Sequence, residues 1–196
     1  ARKRLDTRKV GHAGTLDPLA TGLLILCTGK MTKKIDTFQA QEKEYTGQFI
    51  LGKTTPSVDL ETEFDKKFDI SHITEEMIRE ATNQFTGDIE QVPPMYSAIK
   101  IDGQRVYKKA RKGEEVIINA RKVTVSEFEI TEIDDLELKF RVVCSKGTYI
   151  RSLANDFGKA LNSGAHLSEL RRTKIGDYSV EKAVSIDAFI QNLEME

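Results

Sequence analysis

Hydrophobic and polar positions alternate along this chain at two different periods. Over residues 44–51, Tyr45, Gly47, Phe49 and Leu51 share one face at period two, which predicts a half-buried strand. An unbroken apolar run from Leu23 to Cys27, between Gly22 and Gly29, predicts a buried strand over 23–28. Helical spacing returns at Ile150, Leu153, Ala154, Phe157 and Leu161, the stripe of a core-facing helix with Thr148 as its cap. Thr74, followed by Glu75 and Glu76, opens another helix to about Phe85, because a capping hydroxyl and first-turn acids satisfy free amides and complement the dipole. The remaining pattern predicts a short helix at 32–38, an acidic loop at 53–70, and a strand at 96–101 turning at Asp102-Gly103. A basic helix at 106–112 follows, then strands near 115–119, 122–133, 136–145 and 168–178, and a short helix from Ser185. A long sheet with helices in mixed order is an α/β or α+β fold with antiparallel pairing. No repeat, low-complexity tract or Pro/Gly-rich linker divides it, so residues 1–196 read as one domain.

Composition narrows the class. The 196 residues suffice for one large domain or two small ones with a proper core. Two cysteines 117 positions apart and three scattered histidines lack the short spacing of a structural zinc site, and so few cysteines suit a reduced, cytoplasmic protein. The longest apolar run is far too short to span a bilayer or serve as a signal core, so no membrane association is expected. The chain starts without Met inside a basic run, and its beginning is expected to be missing. The net charge of −1 conceals segregation: residues 1–34 carry 8 basic and 2 acidic side chains, 100–122 carry 8 and 3, and 144–174 carry 6 and 2. If these blocks converge in space they make a one-sided positive field suited to nucleic acid; otherwise they are solvated helix faces.

Two phosphate-binding motifs fail. Gly29-Lys30 would end a P-loop only with Gly at 24 and Ser or Thr at 31, where Leu24 and Met31 stand, and no G-x-G-x-x-G occurs. The most informative run is Gly11-His12-Ala13-Gly14-Thr15-Leu16-Asp17-Pro18-Leu19-Ala20-Thr21-Gly22. Its glycines permit tight turns near a ligand, and Pro18 holds Asp17 out of helical geometry, where a carboxylate could act as nucleophile or base. On local physics alone, Asp-Pro is equally an ordinary turn, and His12 a loop-packing imidazole. In Ser145-Lys146-Gly147-Thr148-Tyr149-Ile150-Arg151-Ser152, Arg151 falls in the first turn of a helix, where the dipole disfavours a cation. It needs a carboxylate or phosphate partner, unless it is a surface side chain. Tyr45, on the inward face of its strand, reads as core.

The runs G-H-A-G-T-L-D-P-L-A-T-G-L-L, K-E-Y, V-P-P-M-Y-S-A-I-K, K-G-T-Y-I-R-S-L-A and L-R-R-T-K-I-G occur together and in order over about residues 9–186. In this the sequence resembles the TruB-type tRNA pseudouridine synthases, which isomerise the uridine at position 55 in the T-loop of tRNA. The resemblance implies the pseudouridine synthase fold, a mixed and largely antiparallel sheet flanked by helices, with an RNA cleft across its middle. It implies that Asp17 is the catalytic aspartate, Arg151 the arginine paired with it, and Tyr45 the ring that stacks on the flipped uracil. His12, Tyr149 and Leu170 fall on substrate-pocket positions, His12 near the opened T-loop. The K-P-x-G-type segment that precedes G-H-A-G in the family has no counterpart here, nor does the C-terminal PUA domain. The L-A-T-G and K-E-Y contexts favour the stand-alone enzyme over guide-RNA-dependent relatives.

The implied chemistry needs base flipping, at a cost of a few kcal/mol. Basic side chains would hold phosphates, and Tyr45 would offer the stacking surface. Isomerisation changes no oxidation state and uses no group donor, so neither cofactor nor metal is expected. The T-arm stem-loop of tRNA is the expected partner, with no obligate protein partner and a monomeric chain. A non-catalytic tRNA-binding or folding module using the same cleft is the alternative. A glycosidase-like hydrolase would need a second pocket carboxylate, for which Asp156 is the candidate.

Overall fold

The computed structural model describes residues 5, 7–97, 99–101, 104–106 and 116–194. Its centre is a sheet in which β4 (Lys43–Leu51) lies between β11 (Glu137–Cys144) and β12 (Ala165–Ile175). Beyond β11 come β10 (Arg121–Asp134) and β7 (Gly87–Gln91); beyond β12 comes the short β13 (Tyr178–Ser179). Every pair in that path is antiparallel, while the two-residue β2 (Thr21–Gly22) adds to β12 in parallel. The mixed, mostly antiparallel sheet agrees with the fold class expected from the sequence.

The period-two reading of β4 places its side chains. Phe49 and Leu51 are buried on one face, where Phe49 packs 4.2 Å from Phe140 between ring centroids. Helix α3 (Ile150–Ala160) covers that face with Leu153, Ala154 and Phe157, and the Phe157 ring meets Phe128 edge-on. (Helices α1, Ile35–Ala40, and α2, Glu75–Ala81, precede it; α4 is Ile186–Glu194.) Phe49, Phe140 and Phe157, all fully buried, contribute roughly 1.5–3 kcal/mol each, so this aromatic layer anchors the sheet to the helix.

Several expectations hold and others shift. Thr74 caps α2, its hydroxyl accepting from the Met77 amide at 3.3 Å, and the helix passes into a 3-10 turn at Thr82–Phe85. The acidic loop at 53–70 contains a small hairpin, β5 (Lys53–Thr54) with β6 (Lys66–Lys67). The apolar run 23–28 forms only the short β3 (Leu26–Thr28), paired with β1 (Val10–His12) outside the main sheet. Leu23 and Cys27 are buried while Leu24 and Leu26 are exposed, because a two-stranded ribbon covers only one of its faces. Residues 116–119 carry no regular structure, since β10 pairs only from Arg121, where β7 gives it a partner. Strand β8 (Lys100–Ile101) pairs with β9 (Gln104–Arg105); the Asp102-Gly103 turn between them, and the expected basic helix past Val106, lie outside the described residues.

Thr148 is not the cap of α3. That position is Tyr149, which supplies no side-chain cap. The Thr148 hydroxyl donates instead to the Ser145 carbonyl at 3.0 Å. The open Tyr149 amide donates to Gln91 Oε1 at 3.0 Å, and Gln91 Nε2 returns a bond to the Tyr149 carbonyl at 3.3 Å. A buried glutamine from β7 thus satisfies the helix end that a local hydroxyl was expected to satisfy.

Candidate active site

A cavity of about 420 Å³ opens where the 14–17 loop, β4, β12 and the start of α3 meet. Asp17, Tyr45, Tyr149 and Leu170 all line it, together with Lys43, Lys146 and Arg172. Residues from 1–34, 43–51 and 145–172 therefore converge, although they are far apart in sequence.

Asp17 stands at the start of a turn closed by the Ala20 amide on the Asp17 carbonyl at 3.0 Å, with Pro18 in the second position that its fixed φ favours. The turn and the poised carboxylate are thus the same feature. Arg151 grips Asp17 through both oxygens, Nε to Oδ2 at 2.9 Å and Nη2 to Oδ1 at 3.0 Å. Such a planar two-point pairing fixes a carboxylate in orientation as well as position. Arg151 is 2% exposed whereas Asp17 keeps 36% of its side chain open, so the arginine forms the foundation and the carboxylate faces the cavity. Nη1 of Arg151 also donates to the carbonyls of Ser57 at 3.3 Å and Tyr96 at 3.0 Å, and lies 3.6 Å from Asp59 Oδ2. The carboxylate-or-phosphate question is answered within the protein: the cation at the helix start is compensated by Asp17 and Asp59.

Asp59 is the functional neighbour that sequence reasoning missed. It lies in the run Thr55-Pro56-Ser57-Val58-Asp59, whose hydroxyls and acid are all buried, with Thr55 and Ser57 both donating to the Asp59 carbonyl. Hydroxyls alternating with an acid inside the acidic loop were the available signal. The carboxylate suggested for a hydrolase, Asp156, instead pairs with Lys159 and Asn155 on the far part of α3.

Tyr45 projects from the third position of β4, directly between Val142 of β11 and Arg172 of β12. Burial raises the pKa of its phenol, so the ring presents a neutral flat face to the cavity. Burial likewise raises the Tyr149 phenol, and the guanidinium of Arg121 sits over the Tyr149 ring at 5.6 Å. Lys43 is buried and its amine donates to the carbonyls of Gln39 and Gln41, capping the end of α1. Its pKa is lowered by burial and by the nearby Arg172. Lys146 and Arg172 of the 144–174 block line the cavity, and Arg121 of the 100–122 block reaches its edge over the Tyr149 ring.

His12 stands apart. It is exposed on β1, across from Leu26, and does not line the cavity. Among the described residues no group of three His, Cys, Asp or Glu side chains is placed to hold a metal ion, and no helix is long and apolar enough to cross a membrane.

Comparison with known proteins follows the same lines as the geometry. Among solved structures, the pseudouridine synthase chain of a Cbf5-Nop10-Gar1 complex superposes with a TM-score of 0.72 at 30% identity over 97% of this chain. An H/ACA RNP bound to a substrate RNA containing 2′-deoxyuridine gives 0.70 at 28% over 97%. This chain spans 47% and 46% of theirs, about half their length. The tRNA pseudouridine synthase B of Flavobacterium johnsoniae is 63% identical over 95% of this chain and 81% of its own, and that of Phocaeicola vulgatus 54% over 96% and 80%. Residues 151–195 match the tRNA pseudouridylate synthase B C-terminal domain, and residues 2–150 match the N-terminal domain of the TruB family pseudouridylate synthases. With three quarters of its length in that match and relatives this similar over nearly all of it, the chain belongs to the TruB family of pseudouridylate synthases.

Proposed function

We propose that this chain converts uridine to pseudouridine at position 55 in the T-loop of tRNA, with Asp17 as the catalytic carboxylate. The observation that carries the proposal is the two-point Asp17–Arg151 pair, buried on the arginine side and open on the carboxylate side, in the wall of a cavity lined by Tyr45.

The chemistry follows from that arrangement. A uracil inside a folded T-loop is out of reach and must be flipped out. Tyr45 gives the extruded base a stacking surface, worth about 1–3 kcal/mol. Leu170 and Tyr149 complete the apolar walls, while Lys146 and Arg121 supply positive charge for the backbone. The C1′–N1 bond breaks, the base turns, and C5 bonds to C1′; the proton that C5 loses is balanced by one that N1 gains, so the product is an isomer of the substrate. Throughout, the two-point contact with Arg151 holds the Asp17 carboxylate in place, an orientation effect that dominates when reacting atoms must stay within about 3–3.5 Å. His12, on the outer face of β1, contacts the T-loop outside the cavity. The chain works as a cytoplasmic monomer, residues 1–196 forming one catalytic unit.

The test is tritium release from a T-arm stem-loop carrying [5-³H]uridine. Release by the parent and none by Asp17→Asn is the expected result. Equal release by both would remove Asp17 from the chemistry. Binding without release by either would favour the non-catalytic RNA module.

A further inference from the structure

Arg172 has no part in the scheme above, yet its placement is costly. It is 1% exposed, and among the described residues no carboxylate forms an ion pair with it. Burying a cation without an anion is one of the least favourable arrangements in a protein interior. A methionine or leucine would fill the same volume at no electrostatic cost, so the guanidinium must do something its charge and shape alone allow.

Its contacts show what that is. Nε donates to the Leu23 carbonyl at 2.8 Å, and Nη2 to the Gly14 carbonyl at 3.2 Å. Those carbonyls stand three residues before Asp17 and six after it, at the two ends of the loop that presents it. The Arg172 backbone holds the same loop: its carbonyl accepts from the Leu23 amide at 2.8 Å, and Gly22 is its partner in the β2–β12 pairing. The approach is so close that a Cβ on Gly22, whose φ is 104°, would collide with the Arg172 carbonyl oxygen. On the other side Arg172 is the direct cross-strand neighbour of Tyr45, both line the cavity, and the guanidinium is near enough to oppose the rise that burial causes in the Tyr45 phenol's pKa. One rigid planar fork therefore bonds both ends of the Asp17 loop and stands beside the ring expected to stack on the base.

We infer that Arg172 is a positioning residue for the reaction: it sets the place of Asp17 relative to Tyr45 by tying the Gly14 and Leu23 carbonyls to a single group on β12, directly beside Tyr45. The inference rests on the proposed roles of Asp17 and Tyr45. It makes Arg172, which holds the backbone of the loop from β12, complementary to Arg151, which holds the Asp17 carboxylate from α3.

The consequence is a loss of rate without a loss of RNA. Misplacing a reacting group by about 1 Å costs on the order of 10²-fold. Arg172→Met should lower the single-turnover rate of tritium release about 10²-fold while T-arm stem-loop affinity stays within about threefold. Arg172→Lys retains the charge but reaches one carbonyl at a time, and should recover part of the rate, to within about tenfold of the parent. Tyr45→Phe, which removes only the hydroxyl, should cost less in the Arg172→Lys background than in the parent, because there the hydroxyl has already lost its guanidinium neighbour. Rates are taken per folded molecule, so a merely structural arginine would leave both the rate–affinity split and the non-additivity absent. If Arg172→Met does not fold, the lysine variant and its Tyr45→Phe double decide the question. An active parent with Arg172→Lys at the parental rate per folded molecule, or with strictly additive losses, overturns the inference alone. A parent that releases no tritium overturns the functional reading, and the inference with it.

Discussion

Replacing Arg151 by methionine separates what the buried arginine does for the fold from what it does for the site. The side chain joins three segments through Asp17, the Ser57 and Tyr96 carbonyls, and Asp59 at 3.6 Å. Methionine fills much of the same volume but leaves Asp59, a carboxylate only 5% exposed, without its cation. Breaking a buried pair by removing one partner costs about 3–5 kcal/mol, a large part of a total stability of about 5–15 kcal/mol. With a urea dependence of about 2 kcal/mol per molar, the unfolding midpoint should fall by about 1.5–2.5 M. Asp17→Asn is the contrast. Asp17 is the exposed member of the pair, the amide oxygen can still accept from Arg151, and Asp59 keeps its partner. Its cost should be about 1 kcal/mol or less, a midpoint shift under about 0.5 M. Both variants should lack tritium release, so activity falls in both while stability falls in one. Adding Asp59→Asn to Arg151→Met should return about half of the lost midpoint, because the unpaired charge is gone. Equal midpoints for Arg151→Met and Asp17→Asn, or no recovery in the double variant, would refute the assignment of Asp59 as the buried counter-charge.

Two further outcomes follow from single contacts. Gln91→Leu removes both bonds to the Tyr149 peptide and leaves the amide at the start of α3 unsatisfied; it should cost about 1–3 kcal/mol in urea unfolding and weaken stem-loop binding through a displaced Tyr149, and an unchanged midpoint would reject the glutamine cap. The pH dependence in alkali has a defined source in Cys144, whose thiol burial pushes up to about 11. The thiol of the unfolded chain ionises near 9, so between about pH 9 and 11 the unfolded state has lost a proton that the folded state keeps, and stability falls with rising pH by about 2–3 kcal/mol in all. The Lys43 amine, lowered in the fold, acts in the opposite sense, so the parent must be compared with Cys144→Ala: the difference in their urea midpoints should be constant below about pH 9 and should change by about 1 M by about pH 11.

Legibility in the sequence depends on how far apart the interacting residues lie. The face of Tyr45 follows from period two within eight residues, and the Asp17-Pro18 turn from local chemistry, so both are legible in the amino-acid order. The partnership of Asp17 with Arg151 spans 134 positions and is carried by the resemblance of linked motifs, not by local pattern. A hydroxyl beside a helix start is the usual local solution for a cap, which is why Thr148 fits the part by sequence. Gln91, 58 positions away, displaces it through pairing that only the packing of β7 against α3 creates. The motif groups His12 with the pocket, yet the β1–β3 ribbon turns it outward, away from the cavity wall. Asp59 looks like one acid among many in a polar loop, because burial of a loop is a tertiary property.

The amino-acid order by itself determined the periodicities, the turn that exposes Asp17, the α3 stripe and the family to which the chain belongs, since each is written in residues that are neighbours in sequence or in ordered motifs. The tertiary structure alone decided which charges meet. Arg151 is neutralised by Asp17 and Asp59 and not by solvent, and among the described residues Arg172 is buried against carbonyls with no acid paired to it. Charge pairing acts across space at a few ångströms, and in a chain whose sheet brings residue 172 beside residue 45 and residue 22, sequence distance carries no information about it.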